Sequence, residues 1–445
     1  MKQDMKQDMK QDMKQLKIAI IGSGSTYTPE LIEGLIARKN SLAMKSIYMM
    51  DINREKNEIV GSLVKRMLSY HNMQTELVLT ERLEEAVQDA DYILGQIRVG
   101  MLDARIKDEK IPLKYDLIGQ ETTGIGGFMK AMRTIPVMMN VAKTIENLAP
   151  DAWLINFSNP SGLLAEALLN HTNVKTIGLC NNPVNMIRDA KKRLPENTEI
   201  FDYDYVGLNH LSWMTAIYAD GIEILQDQLK SNATVSTARN IPQIEYDDSL
   251  LQAAGGLPCA YLSYFYHRDK MLNKLKKAEF SRGEECKKIE QELLERYRDS
   301  TVLEKPVLLE KRGGSLYSEA AISLIDAMEN NKNEIHVINT QNKGAFPFME
   351  KEDVVECKCL VGKNGVMPVP FNGIVNEHII GLMKTIKSYE KLAVTAGIQG
   401  DRNAALRAML VHPLIGDYEK ANAALDEMFK ANREYLPQFF KVEEK

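Results

Sequence analysis

With 445 residues, 44% of them hydrophobic and 26% charged, the chain has the make-up of a soluble globular enzyme long enough for two domains. A formal net charge of −5 offers no broad basic face, which excludes nucleic acid as an expected partner. No apolar run approaches the ~18–20 residues that span a bilayer, no apolar signal core opens the chain, and the five cysteines show no paired zinc-type spacing, so reduced thiols, no membrane contact and a cytoplasmic location are expected.

Residues 1–15 repeat the unit Met1-Lys2-Gln3-Asp4 and form a low-complexity N-terminal extension with almost no apolar surface to bury. From Leu16 onward, short apolar runs at 17–21, 47–51, 76–79, 92–97, 152–157 and 175–179 alternate with helical stretches. That alternation predicts a parallel sheet with crossover helices, a Rossmann-like α/β domain over 16–203. The first run leads into Gly22-x-Gly24 and a helix beginning near Pro29, an arrangement that lets backbone approach a pyrophosphate and aims helix amides at it. Tyr27 stands where the third glycine of the usual fingerprint would be. The second strand ends in Asp51, whose carboxylate suits the hydroxyls of an adenosine ribose and favours NAD over NADP. Gly22, Gly24, Ser25, Thr26 and Asp51 are therefore the candidate cofactor-binding residues.

Beyond the turn at Asn159-Pro160 come Cys180-Asn181-Asn182-Pro183 and Asn209-His210, a thiol and an imidazole that read either as a soft metal-ligand pair or, for Cys180, as a buried structural thiol. Asp220-Gly221 sits between apolar runs at 214–219 and 222–225 and predicts a two-residue hairpin, so a second, α+β domain is expected over 204–445, with its boundary near 202–207. From its residues alone, the aromatic run from Cys259 to Tyr266 reads as packing on a helix face. Arg312-Gly313-Gly314-Ser315 is either an anion-binding loop or a turn before a helix. Cys357-Lys358-Cys359 reads as two thiols on a strand, and 376–440 as closing helices interrupted at His412-Pro413.

Taken in order, Gly22 to Pro29, Asp51, Asp108-Glu109-Lys110-Ile111-Pro112-Leu113, Gly119-Gln120-Glu121-Thr122, Asn159-Pro160, Cys180-Asn181-Asn182-Pro183 and Asn209-His210 closely resemble glycoside hydrolase family 4. The resemblance implies a fold like lactate and malate dehydrogenases, with NAD and a divalent metal, usually Mn2+, as cofactors. Ligand softness by itself would favour zinc, iron or cobalt. It further implies Cys180 and His210 as metal ligands, Tyr261 as the catalytic base with Tyr264 and Tyr266 behind it, and Glu121 as its support. Arg105, Asn159 and Arg282 are implied as substrate contacts. Asparagine at position 181, after the metal-binding cysteine, resembles the members that act on 6-phospho-β-glucosides, whereas aspartate there marks the α-specific ones.

The implied reaction oxidises C3 of the sugar with NAD, removes the acidified C2 proton, expels the aglycone, adds water and returns the hydride. It needs no carboxylate nucleophile. The implied partners are a phosphorylated disaccharide such as cellobiose 6-phosphate or an aryl 6-phospho-β-glucoside, and further copies of the chain in a homo-oligomer. Galacto- and chitobiose-type substrates stay open. Two other readings stand beside this one: a 2-hydroxy-acid dehydrogenase on the same fold, which needs a catalytic histidine with an acidic partner, and a non-catalytic sensor of NAD and sugar phosphate.

Overall fold

Each of the six predicted apolar runs forms a strand, and together they build one parallel sheet. A computed structural model describes residues 13–230, 235, 238, 240–312 and 317–440. Most of the N-terminal extension lies outside them. The strands are Gln15–Ile21 (β1), Ala43–Met50 (β2), Glu76–Thr80 (β3), Tyr92–Gly95 (β4), Trp153–Asn156 (β5) and Lys175–Gly178 (β6). They lie parallel in the order β3-β2-β1-β4-β5-β6, the doubly wound arrangement in which the strand order reverses beside β1. Ile18, Ile20, Ile47, Ile93, Leu94, Leu154 and Ile155 are fully buried, as strands covered by helices on both faces require. The helices that shape the site are Thr28–Ala37 (α1), Arg54–Tyr70 (α2), Met101–Lys110 (α3), Gly124–Leu148 (α4), Ser161–His171 (α5) and Asn181–Lys191 (α6).

A second sheet follows, made of Phe201–Leu208 (β7), Leu211–Ala219 (β8), Ile222–Glu223 (β9) and Leu257–Pro258 (β10), with antiparallel pairing throughout. The stretch expected to hold the domain boundary, 202–207, lies inside β7. The Asp220-Gly221 hairpin forms where predicted: Ala219 pairs with Ile222, and Asp220 and Gly221 take φ values of 52° and 82°. Both residues are thus left-handed, which matches the turn to the twist of its strands.

The sequence pattern did not reveal that the later chain returns to the first sheet. Glu334–Gln341 (β11) pairs antiparallel with β6 through Asn339 and Gly178, and Val354–Gly362 (β12) and Gly365–Pro368 (β13) extend the sheet to nine strands. Cys357 and Cys359 lie on β12 as buried free thiols. Among the later helices, Arg282–Arg298 (α7) packs back against α2 and α3, and Glu377–Gln399 (α8) against α4 and α5. The helical tail breaks at His412, whose ψ of 122° is the extended backbone that a following proline imposes. Among the described residues, no helix is long and apolar enough to cross a membrane.

Candidate active site

The glycine loop is fixed by its own backbone. Gly22 and Ser23 both donate to the Met50 carbonyl at 2.8 and 3.1 Å, which ties the loop to the end of β2. Gly22 has φ +87°, and a Cβ there would stand 2.9 Å from the Gln96 carbonyl oxygen, so only glycine fits. Gly24 donates to Asp51 Oδ2 at 2.8 Å, while Asn53 donates to Oδ1 at 2.8 Å. Burial pushes the Asp51 carboxyl above its usual range, and these two N–H groups oppose the shift. At the third-glycine position, the Tyr27 ring lies 5.0 Å from the Arg312 guanidinium. Thr26 is buried, and its carbonyl accepts the Tyr297 hydroxyl at 2.8 Å.

A cavity of about 610 Å³ runs from this loop across the carboxyl ends of the strands. Gly22, Gly24, Ser25 and Asp51 line one part of it; Arg105, Glu121, Asn159, Asn181 and Tyr261 line another. Its centre of charge is Glu121, which meets Arg105 at 2.9 Å, Arg98 at 2.5 Å and Lys130 at 2.7 Å. Arg105 also pairs with Glu109 at 2.7 Å. Burial by itself would raise the Glu121 carboxyl, but Arg105, Arg98 and Lys130 hold it well below the ordinary carboxylate range. Burial, with Arg98 adding to it, brings the Lys130 ammonium down to about 7. Arg98 and Lys130 were not singled out from sequence, and Arg312 only as the start of a glycine-bearing loop. Arg98 follows β4, at the carboxyl edge where ligands sit in such sheets, and that position was its one available signal.

Tyr261 is buried, its ring stacked on His210 with centroids 3.9 Å apart, and its hydroxyl accepts from Asn240 Nδ2 at 2.9 Å. Burial, then the nearby Cys180, pushes its phenol above the usual value. Both Glu121 oxygens are engaged by cations, and its negative charge adds to the upward push on the Tyr261 phenol, which opposes ionisation. Tyr264 is buried away from the cavity, and Tyr266 accepts a hydrogen bond from Trp213 at 2.9 Å.

Cys180 follows β6 and caps α6, with Sγ accepting the Asn182 N–H at 3.4 Å. His210 occupies the tight turn between β7 and β8 with φ +63°. Its Nε2 lies 3.4 Å from Cys180 Sγ, and its Nδ1 is buried without a hydrogen-bond partner. Burial drives the imidazole down to about 3, so it is neutral, the form that ligates metal. At this separation the two side chains would hold one ion between them. The donor pair fits a divalent ion with several positions left open. Among the described residues, no third His, Cys, Asp or Glu completes a cluster with this pair.

Asn159 precedes a cis peptide bond to Pro160 and reaches the cavity with a buried Oδ1 that has no hydrogen-bond partner. Arg282 is not brought to the cavity wall. Its guanidinium instead binds Glu285 at 2.7 Å and the Lys311 and Arg312 carbonyls at 2.9 and 3.0 Å. Residues 313–316 of the second glycine-bearing loop lie outside the described residues.

The model of the family 4 glycosyl hydrolases matches residues 17–196, and that of the family's C-terminal domain matches 205–415. The chain is 40% identical to the "Probable 6-phospho-beta-glucosidase" of Bacillus subtilis (strain 168), over 96% of this chain and 98% of that protein. It is 35% identical to the 6-phospho-β-glucosidase of Escherichia coli (strain K12), over 96% and 97%. The structure of the Thermotoga maritima 6-phospho-β-glucosidase with NAD and glucose-6-phosphate superposes with a TM-score of 0.87 at 36% identity, covering 95% of this chain and 99% of that one. The same enzyme with manganese, NAD+ and glucose-6-phosphate gives 0.86 at 35%, covering 94% and 99%. A malate dehydrogenase from Plasmodium falciparum, at 14% identity and a TM-score of 0.52 over 86% of this chain and 98% of that one, shares the fold alone.

Proposed function

The chain belongs to the family 4 glycosyl hydrolases, and from that premise we propose that it hydrolyses 6-phospho-β-glucosides using NAD and a divalent ion, most suitably Mn2+. The observation that carries the proposal is the single cavity joining the glycine loop and Asp51 to Glu121, Asn159, Asn181 and Tyr261, with the Cys180–His210 pair against Tyr261. When bound, the dinucleotide supplies reversible hydride transfer at C3, and the ion supplies Lewis acidity at the C2 and C3 oxygens.

The chain's own residues do the remainder. Gly22, Gly24 and Ser25, just before α1, would cradle the pyrophosphate, with Thr26 buried behind them rather than on the cavity wall, and Asp51 would take the ribose. Cys180 and His210 would hold the ion. Once C3 is a ketone the C2 proton is acidic, and Tyr261 faces the cavity to remove it; the Asn240 N–H on its oxygen favours the phenolate. The aglycone then leaves by elimination and water adds in its place. Arg98 and Arg105 balance the carboxylates Glu121 and Glu109, so Lys130, when protonated, supplies the positive charge left for a phosphoryl group. Arg282, at the start of α7, would need to release two carbonyls to join them.

Asn181 lines the cavity, where an amide cannot serve as an acid. We read 16–203 and 204–445 as nucleotide and substrate parts that share one sheet. The dehydrogenase alternative needs a histidine paired with a carboxylate; His210 faces a thiol instead. Turnover of a chromogenic 6-phospho-β-glucoside in D2O with NAD, Mn2+ and reductant tests the proposal. Deuterium at C2 of the released sugar phosphate is expected, and aglycone release with a fully protiated C2 would overturn it.

A further inference from the structure

Lys56 and Arg312 both line the cavity beside the glycine loop, and both end on one carboxylate, Glu290, which lines it too. Lys56 Nζ is 2.5 Å from Glu290 Oε1, and Arg312 Nη2 is 3.3 Å from Oε2. The pairs are largely shielded, with side-chain exposures of 22% for Lys56, 14% for Glu290 and 9% for Arg312. Lys56 belongs to the first turn of α2, and its Cβ lies 3.1 Å from where a Cβ on Gly24 would stand. Gly24 is the residue that donates to Asp51, so this lysine stands beside the end of the cavity assigned to the ribose.

Glu290 arrives from the other half of the chain. It sits on α7, which is anchored to the nucleotide part by Tyr297 on the Thr26 carbonyl at 2.8 Å and by Arg298 on Glu55 at 2.9 Å. Its position over the loop is therefore fixed by contacts on the same helix.

Dinucleotide folds choose between NAD and NADP at the ribose: an acid takes the free 2′-hydroxyl, whereas a cation accommodates a 2′-phosphate. Lys56 is within reach of that decision here, and Glu290 engages both it and Arg312. We propose that Glu290 is a specificity-determining residue for NAD over NADP, withholding Lys56 and Arg312 from a 2′-phosphate and adding a second negative charge near Asp51. The inference rests on reading the cavity as a dinucleotide site.

Dissociation constants for NAD and NADP, measured by calorimetry on the wild-type chain and on Glu290→Gln, test it without reference to turnover. The charge-neutral variant should shift the NADP-to-NAD affinity ratio toward NADP by at least about tenfold, the scale of removing one like-charge contact. Lys56→Met added to it should reverse most of the shift, and Glu290→Asp should keep the wild-type preference. Glu290→Met repeats the test should the glutamine variant not fold. A ratio that stays put while wild-type chain binds NAD overturns the proposal alone, and this includes the case where both affinities fall in step because α7 has loosened. Failure of the wild-type chain to bind either dinucleotide overturns the reading of the cavity and the proposal with it.

Discussion

Cys180 Sγ and His210 Nε2 lie 3.4 Å apart, although thirty positions separate them in sequence. One sheet delivers the thiol to the head of α6, and the tight β7–β8 turn, with His210 left-handed, lays the imidazole over it. Neither residue has a geometric reason to meet the other until both sheets are in place.

If Cys180 and His210 hold the ion as proposed, replacing Cys180 with serine removes the soft donor and leaves His210 alone. Manganese affinity, read as free Mn2+ by electron paramagnetic resonance, should fall by more than the ~10–100-fold that outer-shell changes cost. NAD affinity should hold, because the glycine loop is untouched. Undiminished manganese binding would remove the thiol from the site.

Tyr261→Phe keeps the ring stacked on His210 and deletes the hydroxyl proposed as proton acceptor. Loss of a positioned base lowers kcat by ~10²–10⁴-fold. Exchange of the C2 proton with solvent should fall in the same proportion while metal affinity stays near wild type. Exchange at the wild-type rate would shift the role to another group.

Glu121→Gln leaves Arg98, Arg105 and Lys130 facing a neutral amide in a buried cluster. Breaking a buried network on one side costs ~3–5 kcal/mol. A drop of that order in urea-unfolding free energy is expected, and a change within error would mean that water already screens the cluster.

Gly24→Ala would set a Cβ 2.9 Å from Asp51 Oδ2. The carboxylate must move, and the Gly24 N–H loses its acceptor. NAD affinity measured by calorimetry should fall at least about tenfold, one lost charge-assisted hydrogen bond being worth ~1.5–3 kcal/mol. Equal affinity would show that Asp51 adjusts freely.

His412 supplies a pH dependence away from the cavity. Burial lowers its imidazole to about 3, and Nδ1 accepts the Leu414 N–H at 3.1 Å. The unfolded chain takes up this proton near pH ~6.5 and the folded chain does not, so this contribution to stability is full above that pH. It falls by ~1.4 kcal/mol per pH unit as the medium is acidified from ~6.5 toward the folded value. His412→Gln should flatten that part of the acid-unfolding curve, whereas an unchanged slope would assign the acid sensitivity to other groups.

How far the sequence could be read follows the range of the interaction involved. The six parallel strands, the Gly22–Gly24 loop, Asp51 and the Asp220-Gly221 turn are written in neighbouring residues, since strand burial, left-handed turns and helix starts are local demands of the backbone. Cys180 and His210 were legible because family motifs carry them. The convergence of three cations on Glu121, the hydrogen bond from Asn240 to Tyr261 and the grip of Glu290 on Lys56 and Arg312 were not. Each joins side chains whose separation along the chain has no period.

By itself the sequence determined which backbone segments could become strands, helices and phosphate-facing turns, because those depend on patterns within a few residues. Only the tertiary structure decided that β11 to β13 complete the first sheet, that α7 lies against the nucleotide loop, and that Arg282 binds carbonyls while Arg98 and Lys130 reach Glu121. The physical reason is burial: charges and hydrogen bonds gain their strength where water is excluded, and where water is excluded is settled only when distant segments pack.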